Sequence, residues 1–161
     1  MTRPVTRAQA PEPTRNGGRP LTAAQAVLAA EHAAAYGYGV IGARVAPERS
    51  GEARDAYGVH LARRDALART VRDLGGSPQP AEAAYALPFP VRTPGDAERL
   101  AAEIEERVAG AYSDLVRAAD GPLRREAADA LSAAAVRAAR WRGGGVAFPG
   151  LAERAERVRN S

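Results

Sequence analysis

The sequence predicts an all-α protein, an antiparallel four-helix bundle with one long crossover between its second and third helices. Three observations carry that expectation. Four segments repeat apolar residues at alternating spacings of three and four, the period of a helix with one buried face. Pro and Gly break the chain between those segments. The intervening links run short, long, short, and short links make neighbouring helices antiparallel.

Taken in order, residues 1–20 are rich in Pro, Thr, Arg and Gly, with almost no large apolar side chain. Such a segment buries too little surface to offset its ordering, and we expect a disordered tail. Thr22 is expected to cap the first helix, near 22–46. Its stripe is Val27, Glu31, Ala34, Tyr38, Ile41 and Val45. Pro47 and Gly51 mark the turn into a second helix near 48–75. That helix carries Tyr57, His60, Arg64, Leu67, Val71 and Leu74, and Gly75-Gly76 stops it.

Five prolines between Pro78 and Pro94 forbid a helix through the next stretch. A helix of about 25 residues is roughly 37 Å long. About 18 residues of Pro-rich chain reach roughly 55 Å. The stretch can therefore travel the length of the bundle, with Tyr85, Leu87, Phe89 and Val91 laid against it. A third helix near 94–119 follows Pro94, with Ala101, Glu105, Val108, Tyr112 and Leu115 on its stripe. Asp120-Gly121-Pro122 turns into a fourth near 122–141, with Leu123, Ala127, Ala130, Ala134, Arg137 and Trp141 on one face. Gly143-Gly144-Gly145 ends it. The bundle domain is read as 21–150, with FPGL docking near its end and 151–161 as a C-terminal tail.

Composition excludes several functions. The chain has 161 residues, one domain by size, and no Cys. Disulfides, thiolate metal sites and a cysteine nucleophile are excluded. No apolar run is long enough to span a membrane, and no apolar stretch follows the Arg-rich start, so neither a membrane partner nor a secretory signal is expected. A cytoplasmic location follows by default. The net charge is +4, but residues 1–20 carry +3 and residues 142–161 carry +2, leaving the body near neutral. All 23 basic residues are Arg. A nucleic-acid footprint gathers on a folded face, so a nucleic-acid partner is not expected.

Each helix sets one strongly polar residue inside its apolar stripe: Glu31, His60, Glu105 and Arg137. Buried ionisable groups must be paired or bound to metal. Four of them near mid-length predict a shared interior cluster. Glu103 and Glu106 stand as alternates to Glu105 should the third helix be rotated. An internal repeat points the same way. Glu31 is followed seven residues on by Tyr38, and Glu105 seven on by Tyr112. VHLARR (59–64) echoes VRAARW (136–141), aligning His60 with Arg137. The chain reads as two helical hairpins related by a pseudo-two-fold.

The segments AAEHAAAYGYGVIGAR, HLARRDAL, YALPFPV, LAAEIEERVAGAYSDL and AVRAARWRG resemble the ferritin-like superfamily. More closely, they resemble an actinobacterial ferritin-like domain family of uncharacterised function. The resemblance covers roughly residues 21–150. It implies a homodimer, which Ala33, Tyr36 and Gly37 on the outer side of the first helix would suit. Metal-binding members use a Glu from each of two helices and a Glu-x-x-His from each of the other two. Glu31 and Glu105 match the single glutamates, and His60 matches one histidine. Tyr57 and Ala134 stand where the two remaining carboxylates belong, and Arg137 where the second histidine belongs. A guanidinium has no lone pair for a cation.

Three arrangements then fit the four residues: a metal-free ion-pair cluster, a residual iron or manganese site on Glu31, His60 and Glu105, or surface placement of several members. The fixed charge of Arg137 favours the first, with no cofactor. The expected function is a non-catalytic scaffold or dimeric interaction module with a degenerate metal site, and not an enzyme. The alternatives are a metal-binding or di-metal oxidoreductase-type protein, or weak binding of nucleic acid or an acidic partner through the Arg-rich tails. His32 is expected at the surface or a dimer contact, Arg63-Arg64-Asp65 on a solvated or locally salt-bridged face, and Tyr36, Tyr38 and Tyr112 in the core.

Overall fold

The computed structural model describes residues 18–143, and among these it contains four long helices and no strand. The helices are α1 (Gly18–Gly42), α2 (Ser50–Asp73), α3 (Pro94–Ala118) and α4 (Gly121–Trp141). The expected tail 1–20 lies outside the described residues except for its last three. Those three correct the expectation, because Gly18, Arg19 and Pro20 form the first turn of α1. Pro20 is tolerated there because N–H groups of a first turn have no helical acceptor to lose. Thr22 is accordingly no cap. It sits inside the helix and its hydroxyl donates to the Gly18 carbonyl at 2.8 Å. FPGL and the tail 151–161 also lie outside the described residues.

The first connection is longer than expected. α1 ends at Gly42, and the amides of Arg44 and Val45 both close on the Ile41 carbonyl. Pro47–Arg49 make a single 3-10 turn before α2. Val45 remains buried although it is outside the helix. At the far end of α2, Gly75 adopts φ +83°, with its amide on the Arg72 carbonyl and the Gly76 amide on the Val71 carbonyl. This paired closure by a left-handed glycine is the Schellman stop. α3 opens with a capping box in which Thr93 accepts from the Asp96 amide and Asp96 accepts from the Thr93 amide.

α1 packs on α2 and α3, and α3 packs on α4. Leu21, near the start of α1, lies against Gly76 and Val71 at the end of α2. Glu31 of α1 meets Tyr112 of α3, and Tyr38 meets Glu105, so these two helices run in opposite directions. Arg49, just before α2, donates to the Arg140 carbonyl near the end of α4. The core forms two apolar clusters. One gathers Val27, Leu28, Val71, Val108 and Leu115, and the other gathers Ile41, Leu100, Ala101 and Trp141.

Residues 74–93 run from one cluster to the other. Gln25 donates to the Ser77 carbonyl at 2.6 Å and accepts from the Gln79 amide at 3.1 Å. His32 lies at the surface, half-buried, 3.1 Å from the Gln79 carbonyl of the crossover. The rings of Tyr36 and Tyr85 meet at 5.6 Å, and Leu87, Phe89 and Val91 close over the second cluster.

Three further expectations need correction. In α2 the buried face is Ala53, Ala56, His60, Leu67 and Val71, whereas Tyr57 is exposed and Arg64 turns out to pair with Asp65. Arg63 is half-buried and reaches across to the Ala130 carbonyl of α4, so it is not simply part of a solvated face. Gly37 is buried against Ile104, and Ala33 borders the space beneath the crossover, so neither belongs to an outer face. No helix among the described residues is long and apolar enough to cross a membrane.

Candidate functional site

Between the two apolar clusters, Glu31, His60 and Glu105 are each wholly buried. Their helices make this possible. The 3.6-residue period that buries Leu28, Ala34 and Ile41 on α1 also buries Glu31. The same holds for Glu105 among Ala101, Val108 and Tyr112. Glu105 is therefore the inward glutamate of α3, while Glu103 pairs with Arg107 and Glu106 with Arg142 at the surface.

His60 bridges the two acids. Its Nδ1 lies 2.6 Å from Glu31 Oε2, and its Nε2 lies 3.1 Å from Glu105 Oε1. A neutral imidazole would turn one bare lone pair toward a carboxylate, so this geometry calls for the doubly protonated ring. Burial alone would depress its pKa. The hydrogen bonds and charges of Glu105 and Glu31 outweigh burial and raise it above the ordinary histidine value.

Arg137 completes the set from α4. Its Nε donates to Glu105 Oε1 at 2.8 Å and its Nη2 to Oε2 at 2.9 Å. Burial pushes the Glu105 carboxyl up, but His60, Arg137 and Tyr38 together hold it below the usual range. Two carboxylates, an imidazolium and a guanidinium sum to zero, so the bundle encloses four charges without a net one. All four residues expected in the cluster are thus brought together.

Tyr38 and Tyr112 lie in the core as their stripes predict, and the structure adds their role as donors to the cluster. Tyr38 donates to Glu105 at 2.7 Å, and Tyr112 donates to Glu31 at 2.8 Å. Each phenol serves the glutamate of the other helix. The Glu-to-Tyr spacing of seven on both α1 and α3 was its signal, since two such helices laid head to tail align each Glu with the partner's Tyr. Burial and the neighbouring glutamate raise both phenol pKa values far above the ordinary range, so both remain donors. Trp141 Nε1 donates in turn to Tyr38 Oη at 2.8 Å, and the Arg49 guanidinium lies 4.0 Å over the indole. Arg63 covers the ring of Tyr112 at 5.5 Å. Every fully buried side-chain polar atom among the described residues has a partner.

This donor set does not fit a metal. Both nitrogens of His60 are engaged, and both oxygens of Glu105 accept from Arg137. Tyr57 is exposed and Ala134 brings no ligand, so neither replaces the missing carboxylates. No group of three or more His, Asp or Glu side chains among the described residues is arranged to hold an ion.

A family model described as a domain of unknown function, DUF4439, matches residues 23–153. The crystal structure of a conserved hypothetical protein, rv2844, from Mycobacterium tuberculosis is similar at 35% identity and a TM-score of 0.76. The match covers 78% of this chain and 96% of that one. No curated protein matches the chain.

Proposed function

The chain belongs to the DUF4439 family, whose description assigns no activity, and from that premise we propose a non-catalytic ferritin-like four-helix bundle serving as a scaffold or dimeric interaction module. The observation that carries this reading is the closed circuit around Glu105. A bidentate guanidinium, an imidazolium and a phenol converge on the one carboxylate. A cation would have to displace that fixed positive charge, so the cluster acts as an internal ion-pair clasp. The ferritin-like topology is supported by the pairings of α1 with α2 and of α3 with α4, and by the long link along α1.

The dimer is the second element of the proposal. Tyr36 and Tyr57 are the exposed large aromatic side chains of the described residues, and both border one shallow surface with Val40 and Ala43. Aromatic side chains gathered on an outer face suit a protein contact. Light scattering at micromolar concentration is expected to give twice the chain mass, and Tyr36→Glu with Tyr57→Glu should return the monomer.

Metal analysis of untagged protein tests the clasp. We expect iron and manganese well below one per chain, and no rise in melting temperature on adding either ion. A ligand at 100 times its Kd stabilises by about 2.7 kcal/mol. A stoichiometric ion surviving dialysis, with such a rise, would replace the clasp with a metal centre.

A further inference from the structure

The backbones of α2 and α4 stay apart although both flank the core. Arg63 bridges the gap by donating to the Ala130 carbonyl at 3.1 Å. Toward the Gly121 end the gap opens into a cleft of about 270 Å³ with Leu67, Leu115 and Tyr112 in its lining. Glu126 and Asp129, one turn apart on α4, also line it, and neither makes an ion pair among the described residues. A half-apolar cleft edged by two unpaired carboxylates suits an amphipathic segment carrying Arg.

The chain itself holds such a segment. Residues 144–161 follow α4 and include Phe148, Leu151, Ala155 and Val158; Arg154 and Arg157 flank that apolar set, while Glu153 and Glu156 fall on the opposite side at helical spacing. Leu151, Ala155 and Val158 are spaced four and three apart, the pattern of one apolar face. The family model continues to residue 153, past Gly143, so the family domain includes the start of this segment. Gly143 takes φ +86°, a left-handed turn that ends α4. The path back is short enough. From Trp141 to Ala130 is about 16 Å along a helix. Residues 144–150, fully extended, reach about 23 Å.

We infer that the C-terminal segment 144–161 docks in the α2–α4 cleft, with Leu151 and Val158 over Leu67 and Leu115 and with Arg154 and Arg157 against Glu126 and Asp129. The segment thereby covers the seam between α2 and α4. This docking goes beyond the scaffold reading and would hold even if that reading failed.

The chain has no Cys, so one introduced thiol labels cleanly. Ser132 is exposed on α4, near Asp129 and outside the cleft lining. A nitroxide on Ser132→Cys in the full-length chain is expected to broaden the amide signals of residues 148–158, independently of protein concentration. Adding Glu126→Arg and Asp129→Arg should weaken docking by about fivefold, since each exposed pair contributes modestly. Sharp signals for 148–158 beside the label would overturn the proposal. So would undiminished broadening in the charge-reversed variant. Broadening seen only between a labelled copy and a second, isotope-enriched copy would assign the cleft to another molecule and overturn it equally.

Discussion

Arg137 meets Glu105 in a two-pronged contact, with Nε 2.8 Å from Oε1 and Nη2 2.9 Å from Oε2. Of the four charged members of the cluster, Arg137 alone reaches it from the solvent side, with its side chain 16% exposed. Arg137→Ala leaves Glu31 and Glu105 sharing His60 as their only charged partner. Breaking a buried pair costs roughly 3–5 kcal/mol, and the low end, about 3 kcal/mol, is expected because water can follow the deleted side chain. Urea denaturation at pH 7 measures it. A loss under about 0.5 kcal/mol would mark Arg137 as a surface residue. Glu105→Gln added to Arg137→Ala should recover part of the loss, the non-additivity of groups in one network.

The two tyrosines should differ in weight. Tyr38→Phe removes a donor to Glu105 and also the acceptor of the buried Trp141 N–H. Tyr112→Phe removes one donor to Glu31. Leaving a buried polar group unmatched costs about 1–3 kcal/mol. Tyr38→Phe is therefore expected to be the more destabilising by about 1 kcal/mol or more. Equal urea midpoints for the two variants would contradict the Trp141–Tyr38 link.

How far the sequence disclosed this site depends on the helix. On α1 and α3, large side chains mark the buried face, and Glu31, Tyr38, Glu105 and Tyr112 fall on it, with only the neighbouring Glu103 and Glu106 competing for the place of Glu105. α2 is poorer in large apolar residues, and His60, Leu67 and Val71 alone fit two neighbouring phases. The stripe through Tyr57 and Arg64 follows the wrong phase, which also turns Arg63 toward solvent, whereas the buried face runs through Ala53, Ala56 and His60. The start of α1 was hidden by Gly18 and Pro20, which read as breakers but are harmless in a first turn. The exchange of partners between Tyr38 and Tyr112 depends on the axial register of α1 against α3. No single helix carries that information, and only the repeated Glu-to-Tyr spacing hinted at it.

The stop at the end of α2 offers a test of backbone strain alone. A Cβ at Gly75 would meet nothing within 4 Å, so Gly75→Ala adds no clash, only the strain of φ +83°. That strain costs about 1–2 kcal/mol. Gly75→Asn, which tolerates the left-handed region better, should lose less. Thermal unfolding of the two variants gives the order, and an Ala variant as stable as the parent would contradict this stop.

The pH profile follows from His60 and Glu105, with opposite signs. The folded pKa of His60 is raised, because the hydrogen bonds and charges of Glu105 and Glu31 overcome burial. Between the unfolded value of about 6.5 and the raised folded value, the native state holds a proton that the unfolded chain has lost. His60 therefore contributes its full stability below about pH 6.5 and loses it as pH rises through the folded pKa. The folded pKa of Glu105 is lowered, since His60, Arg137 and Tyr38 together outweigh burial. Its contribution is present above about pH 4.3 and is lost as pH falls through that lowered value. Urea midpoints should form a plateau between about pH 4.5 and 6.5 and decline on both sides. His60→Gln keeps a donor for one carboxylate but cannot titrate, so it should flatten the alkaline decline while lowering the plateau. His32→Gln, which touches only the crossover, should keep the decline. A parent chain whose midpoint holds level from pH 6 to 9, or a His60→Gln variant that still falls over that range, would place the titrating group outside the cluster.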